Sequence, residues 1–231
     1  FMPSARWGQR MGDAAVVDAM VGALHDPFGH GHMGITAENI ASRYGFSREE
    51  QDAFAMESHR RAARATGEGH FAAQIVPVEL KSRKGTVQFS TDEHVRHDIK
   101  LEDLQKLRPA FKKDGTVTAG NASGINDAAA AIVMMEAGAA RQRGLAPMAR
   151  LVGYAHAGVE PEVMGLGPIP AVRRLFEKTG LKPADMDVIE SNEAFAVQAM
   201  AVTRDLGLDP AKVNPNGGAV ALGHPIGATG A

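Results

Sequence analysis

Three short segments near the carboxyl end carry the residues best suited to chemistry: Ser191-Asn192-Glu193-Ala194-Phe195-Ala196, Asn214-Pro215-Asn216-Gly217-Gly218 and Gly223-His224-Pro225-Ile226-Gly227-Ala228-Thr229-Gly230. Val188 and Ile189 read as the end of a buried strand, with an apolar helix starting at about Glu193. A polar pair at a strand-to-helix junction sits where α/β sheets hold their ligands, outside the carboxyl ends of the strands. The glycine-rich loop that follows delivers a single histidine, His224, flanked by glycines that let backbone approach a ligand or take positive φ. One His and one Asn on two such loops suit an acid/base group beside a donor to a developing oxyanion. The competing reading is a glycine-rich packing corner with a structural His. Glu193 reads as a carboxylate favoured by a helix dipole at the helix start.

The rest of the chain must position these loops. Residues 13–24 suit a helix with Asp13 at its N-cap, followed by a Gly/His/Pro loop from His25 to His32. His25, Asp26, His30 and His32 raise the question of a metal, but an H-x-H pair on one loop is a weak signal, and no metal is expected. Thr36 is read as the cap of a helix closed by Gly45. Ser47-Arg48-Glu49-Glu50 forms a capping box opening a helix to about Thr66, with Arg60, Arg61 and Arg64 on a solvated face. Residues 75–80 alternate like an edge strand, where Pro77 forbids a central position. Leu101 to Leu107 suits a short helix. Ala128 to Met135 is a continuous apolar run, consistent with a buried strand. A helix over 136–143, a strand from Arg150 to Tyr154 and a helix from about Pro168 to Lys178 follow. This strand–helix alternation argues for α/β layers from 128 to 206, with residues 1–125 more helical and irregular.

Several function classes drop out. The chain has 231 residues, 44% of them apolar, and a net charge of −2, which gives no hint of nucleic acid or an acidic membrane surface. No apolar run approaches the ~20 residues of a membrane-spanning helix. Ser123 fails the nucleophile-elbow test, because Asn121 and Ile125 stand where glycines are needed. Neither Gly165-Leu166-Gly167 nor Gly218 to Gly223 has the spacing of a dinucleotide or phosphate loop. There is no cysteine, hence no disulfide and no thiolate metal site.

The three carboxyl-terminal segments, together with His32-Met33-Gly34-Ile35-Thr36-Ala37-Glu38-Asn39 and Thr116 to Gly124, resemble the signature of the thiolases, with details leaning towards bacterial β-ketothiolases. The likeness spans essentially the whole chain. It implies a thiolase-like layered αβαβα fold, present in part. Residues 1–125 would be an inserted loop lobe on the CoA side, 126–146 the last strand and helix of the N-terminal half, and 147–231 the C-terminal half, cut short. It implies acyl transfer between CoA thioesters by ping-pong chemistry through an acyl-cysteine. Asn192, acting through a held water, and His224 would form an oxyanion hole, and His224 would also activate the cysteine. Ala119, Gly120 and Ser123 would line the pantetheine channel, opposite Ala194 and Phe195. Leu24, His32 and Met33 would lie along the tunnel, Phe111 would hold the adenine end, and Arg96 would offer charge near the nucleotide. Without that resemblance, Leu24, Met33, Phe111 and Phe195 read as ordinary core packing. No cofactor is expected beyond the CoA substrates. The expected setting is a cytoplasmic homo-oligomer, dimer or tetramer, without nucleic acid or membrane. One departure stands out: the family's two reactive cysteines are both missing here. The expectation is that they lie before Phe1 and after Ala231. The alternative is a CoA or lipid binder that has lost them.

Overall fold

The computed structural model describes residues 1–230. In chain order the elements are α1 (Ala19–Ala23), α2 (Met33–Tyr44), α3 (Arg48–Gly67), β1 (Val78–Ser82), β2 (Gly85–Phe89), α4 (Leu101–Gln105), α5 (Ala137–Gln142), α6 (Pro168–Thr179), α7 (Ala196–Asp205) and α8 (Ala219–Leu222). The strands pair antiparallel, with Val78 opposite Phe89 and Leu80 opposite Val87. One face of the hairpin is therefore apolar, and both strands are exposed throughout.

The core is built where helices carry small or branched residues on one side. Ala37, Ile40 and Ala41 of α2 meet Val197, Ala201 and Val202 of α7, closed by Val117 and by Val163 and Leu166 of a 3₁₀ turn. Helix α3 runs behind this layer. Its Ala55 packs on Leu104 and Val220, and its Ala62 on Val95 and Ala221. The fully buried alanines of α3 let α8 approach its backbone closely.

The predicted capping box at Ser47 is present in full: the Ser47 hydroxyl accepts from Glu50 N and the Glu50 carboxylate accepts from Ser47 N. Helix α6 and its stop at Gly180 also match the sequence pattern. Other expectations need correction. Helix α2 begins earlier than foreseen, because His32 Nδ1 accepts from Gly34 N at 3.0 Å and takes the N-cap assigned to Thr36. The first helix is capped by Asp18, not Asp13, and lasts only 5 residues. Strand β1 starts after Pro77, which has no N–H to give a ladder. The helix expected from Glu193 starts at Ala196, with extended Phe195 as its N-cap.

The largest correction concerns residues 128–135 and 150–154. Neither forms a strand, and Ile132, Val133, Val152 and Tyr154 are 65%, 87%, 60% and 68% exposed. A buried parallel strand needs partners along both edges and layers on both faces, and the described residues supply neither. The strand ending at Ile189 persists as one parallel bridge to Val213, with Ile189 N donating to Lys212 O and Asn214 N to Ile189 O. Arg61 and Arg64 are not merely solvated: their guanidiniums donate to the carbonyls of Val213 and Pro215, fixing the loop before α8.

Candidate active site

Asn192 and His224 come together as the sequence suggests: Asn192 Nδ2 lies 3.2 Å from His224 Nε2. The imidazole is fixed from its other side. Thr229 Oγ1 donates to Pro225 O at 3.0 Å, so the hydroxyl oxygen is left to accept from His224 Nδ1, 2.9 Å away. Nδ1 therefore carries the proton, and Nε2 presents its lone pair to the cavity, where it accepts from the Asn192 amide. Burial holds the His224 pKa below the ordinary histidine value, which favours this neutral form. The backbone is pinned as well, His224 N donating to Gly124 O and to Asn126 Oδ1, each at 3.2 Å.

These two residues open on a cavity of about 890 Å³. Of the other sequence candidates, Leu24, His32, Met33, Phe111, Ser123, Ala194 and Phe195 line it. His32 stacks on Phe111 with ring centroids 4.8 Å apart, and Phe111 meets Phe195 edge-on at 6.1 Å. The Phe111 ring rests on Gly34, where any Cβ would occupy the same space. Ser123 N and Oγ both donate to Ala194 O, which joins the Thr116–Gly124 loop to the Asn192 loop.

Arg96, Ala119 and Gly120 do not line the cavity. Arg96 is exposed, and only its backbone N–H is engaged, donating to His59 Nδ1 at 3.2 Å. Gly120 is buried against Leu104 and Leu107, so its small size serves packing beneath the loop. Ala119 faces outward at the loop tip. His25 and His32 pack edge to face at 5.4 Å, and no group of three or more metal-ligating side chains gathers among the described residues.

What the sequence reading missed is the support beneath the site. Glu38 of α2 accepts from Thr116 N and Val117 N, and Asp52 of α3 accepts from Asn121 Nδ2, so two buried carboxylates hold the Thr116–Gly124 loop. Arg48 completes the second arrangement, donating to Asp52 at 2.7 Å and to the carbonyls of Leu104 and Leu107. Asn214 has φ 44°, the left-handed region that Asn tolerates, and its amide brackets Ser191 through both N–H and carbonyl. Gly217 is needed twice: its φ is 86°, and a Cβ there would fall 2.8 Å from Ser58 O. The spacing Asn214-Pro215-Asn216-Gly217-Gly218 was visible in sequence. Its partners on α3 were not.

The arrangement is thus a neutral imidazole whose Nε2 faces an adjacent amide at the wall of a largely apolar cavity, a group able to take up a proton there. Sequence models of the thiolase N-terminal domain and the thiolase C-terminal domain match residues 2–138 and 145–231. The chain belongs to the thiolase family. It is 65% identical over 230 residues to beta-ketothiolase BktB of Cupriavidus necator, covering 99% of this chain and 58% of that protein. It is 56% identical to an acetyl-CoA acetyltransferase of Allochromatium vinosum, covering 100% of this chain and 59% of the relative. Among solved structures, acetyl-CoA acetyltransferase of Bacillus anthracis superposes with a TM-score of 0.88 at 52% identity, over 97% of this chain and 57% of that one. Human mitochondrial 3-ketoacyl-CoA thiolase in complex with CoA gives 0.86 at 42% identity, over 100% and 57%. The fold is thus a thiolase-like α/β fold. The chain spans somewhat more than half the length of these relatives.

Proposed function

We propose that this chain is part of a longer thiolase subunit that transfers acyl groups between CoA thioesters, in thiolysis of a 3-ketoacyl-CoA and in the reverse Claisen condensation. The observation that carries the reading is the placement of the His224 ring, with Nδ1 against Thr229 Oγ1 and Nε2 beside Asn192 Nδ2. With Nδ1–H committed to Thr229, Nε2 can take the proton of a cysteine thiol placed at the cavity mouth. A thiol of pKa about 8.5 is mostly protonated at neutral pH, so such a base is needed. Having taken the proton, Nε2–H becomes a donor and can face the oxyanion formed when the thiolate attacks the 3-keto carbonyl of the substrate. One nitrogen then serves as base first and oxyanion donor second. Asn192 gives up its contact with Nε2 at that point and is free to hold a water against the same oxygen. The intermediate collapses by breaking the C2–C3 bond, which leaves an acyl-cysteine and releases the enolate of acetyl-CoA. The enolate takes a proton from a second cysteine in the remainder of the subunit, and that cysteine regains it from the incoming CoA thiol. The CoA thiolate then attacks the acyl-cysteine carbonyl and expels the first cysteine thiolate.

The chain itself holds no cysteine. The reading therefore requires cysteines in the remainder of the subunit, and a CoA or lipid binder without them is the competing reading. Acetoacetyl-CoA thiolysis by the product of the complete gene decides between the two. No turnover, with intact CoA binding, would favour the binder.

We further propose CoA and acyl-CoA as ligands of the cavity; one of the similar structures is a complex with CoA. Its apolar walls at Leu24, Met33, Phe111 and Phe195 suit a pantetheine arm and a short acyl chain. A homo-oligomer, dimer or tetramer, is supported by the exposed apolar face of the β1–β2 hairpin, formed by Val78, Leu80, Val87 and Phe89. No helix is long and apolar enough to cross a membrane among the described residues, and we place the enzyme in the cytoplasm. There, condensation of acyl-CoA units would supply polyhydroxyalkanoate precursors, and thiolysis would serve fatty acid metabolism.

A further inference from the structure

Glu193 does not cap α7, the helix that follows it. Glu193 is 3% exposed, and its carboxylate turns to a different part of the molecule. Oε2 accepts from Ser58 Oγ at 2.6 Å and from Val220 N at 3.2 Å, and Oε1 accepts from Asn214 Nδ2 at 2.9 Å. Three donors and no acceptor face it, the pattern of a carboxylate. Ser58 closes the ring by accepting from Gly218 N at 3.1 Å. A Cβ on Gly218 would fall inside the Glu193 carboxyl group, so the second glycine of the pair exists to admit it.

The geometry of these bonds joins the two halves of the site. Asn192 is flanked by Ser191 and Glu193, and both are gripped by Asn214. Val220 lies in the first turn of α8, and α8 ends at Leu222, directly before Gly223 and His224. One carboxylate thus binds the loop that carries Asn192 to the short helix that delivers His224. Burying a carboxylate contributes little to stability compared with apolar packing of the same volume, so its retention at this junction needs another reason.

We propose that Glu193 is a positioning residue for the acyl-transfer chemistry: it fixes the 3.2 Å approach of Asn192 to His224 without touching either reacting group. The kinetic part of this inference rests on the thiolase reading above. A displacement of about 1 Å at a reacting group costs on the order of 10²-fold in rate, and that is the expected loss in kcat for Glu193→Gln. KM for the thioester should change little, because the cavity walls at Leu24, Met33 and Phe111 do not depend on the carboxylate. Ser58→Ala, which removes one of the three donors, should show a smaller loss of the same kind.

The test uses the full-length subunit with two readouts. In steady-state thiolysis, Glu193→Gln should lower kcat in the native background and cost nothing further in a His224→Ala background, as neighbours acting through one another do. In ¹⁵N NMR, the His224 ring signals, assigned by their loss in His224→Ala, should report Nδ1 protonated in the native protein. In Glu193→Gln they should move towards a mixture of tautomers. An equal kcat loss in both backgrounds would mean that Glu193 acts through stability alone and would overturn the proposal. Unchanged His224 signals in Glu193→Gln would overturn it too, and would do so even if the wild-type protein proved not to be a thiolase. Absence of wild-type turnover with shifted signals would sink the functional reading and leave the placement standing.

Discussion

At the scale of single residues, the pairing of Asn192 with His224 was legible through the resemblance to the thiolases; the residue types and glycine spacing alone fitted a structural His in a packing corner as well. The tautomer was not legible, since it depends on whether Thr229 Oγ1 gives its proton to Pro225 O or to the ring. That detail makes a prediction. In the complete enzyme, Thr229→Ser should keep most activity, whereas Thr229→Val should lower kcat by about one to two orders of magnitude, less than the roughly 10²–10⁴-fold of losing the general base itself, because the ring stays but its orientation is loosened. Near-normal turnover in the valine variant would show that the ring is oriented by other contacts. The acid limb of the kcat/KM profile belongs to the same ring. In the proposed mechanism the base is neutral His224, so rate should fall as pH drops through its pKa; burial lowers that pKa, and the fall should be centred below the usual value of 6.5. A midpoint above 6.5 would contradict the buried neutral base. Among variants, loss of kcat should run His224→Ala, then Asn192→Ala, then Ser123→Ala. His224→Ala removes a base and an oxyanion donor, each worth on the order of 10²-fold or more. Ser123→Ala should act mainly on KM, because its hydroxyl is bound to Ala194 O in the resting site and lines the cavity away from the reacting atoms.

At the scale of elements, α3 shows how sequence patterns succeed locally and fail at a distance. Its start was readable because a capping box is closed within four residues. Its second role was unreadable, because Asp52, Ser58, Arg61 and Arg64 act on partners far along the chain. His59 of the same helix is buried, with Nδ1 accepting from Arg96 N, and its pKa is lowered to about 4 by burial first and then by the nearby charges of Arg96 and His94. The sign of the stability effect follows. An unfolded His59 titrates near 6.5 and the folded one near 4, so between those values the unfolded chain binds the extra proton. Stability from this group is complete above about pH 6.5 and is lost as pH falls towards 4. Denaturant midpoints measured across that range should therefore drop with acid, and less so in His59→Gln, which keeps an acceptor for Arg96 N but has nothing to titrate. Identical slopes in the two proteins would place the acid sensitivity elsewhere, for instance among the buried carboxylates.

At the scale of the whole molecule, the sequence foresaw buried strands at 128–135 and 150–154, and the family match explains why those segments are so apolar: in a layered sheet they would lie between helices. Periodicity reports what a segment is suited to, and only the presence of neighbours decides whether it gets there. In this chain Ile132, Val133, Met134, Val152, Tyr154 and Val188 are all more than half exposed, large apolar side chains left in water on segments suited to a core. Two behaviours should follow for the 231-residue chain prepared by itself. It should catalyse no thiolysis of acetoacetyl-CoA above the buffer rate, since it offers a base and no thiol. It should also self-associate, because the unpaired extended segments present open backbone edges as well as apolar side chains. Light scattering across a dilution series, with an apolar dye as reporter, measures the second. The hairpin separates ordered association from collapse. Leu80→Lys with Val87→Lys charges its apolar face at two cross-strand partners without touching the site or the core. In the complete enzyme that double variant should shift the assembly to a smaller species while each subunit keeps its CoA affinity. In the isolated chain it should leave most of the self-association intact, because the larger apolar surface lies at 128–135 and 150–154. A monodisperse monomer of the unaltered chain with one sharp melt would show that these segments find internal partners in solution and are not the exposed, unpaired stretches seen at 128–135 and 150–154.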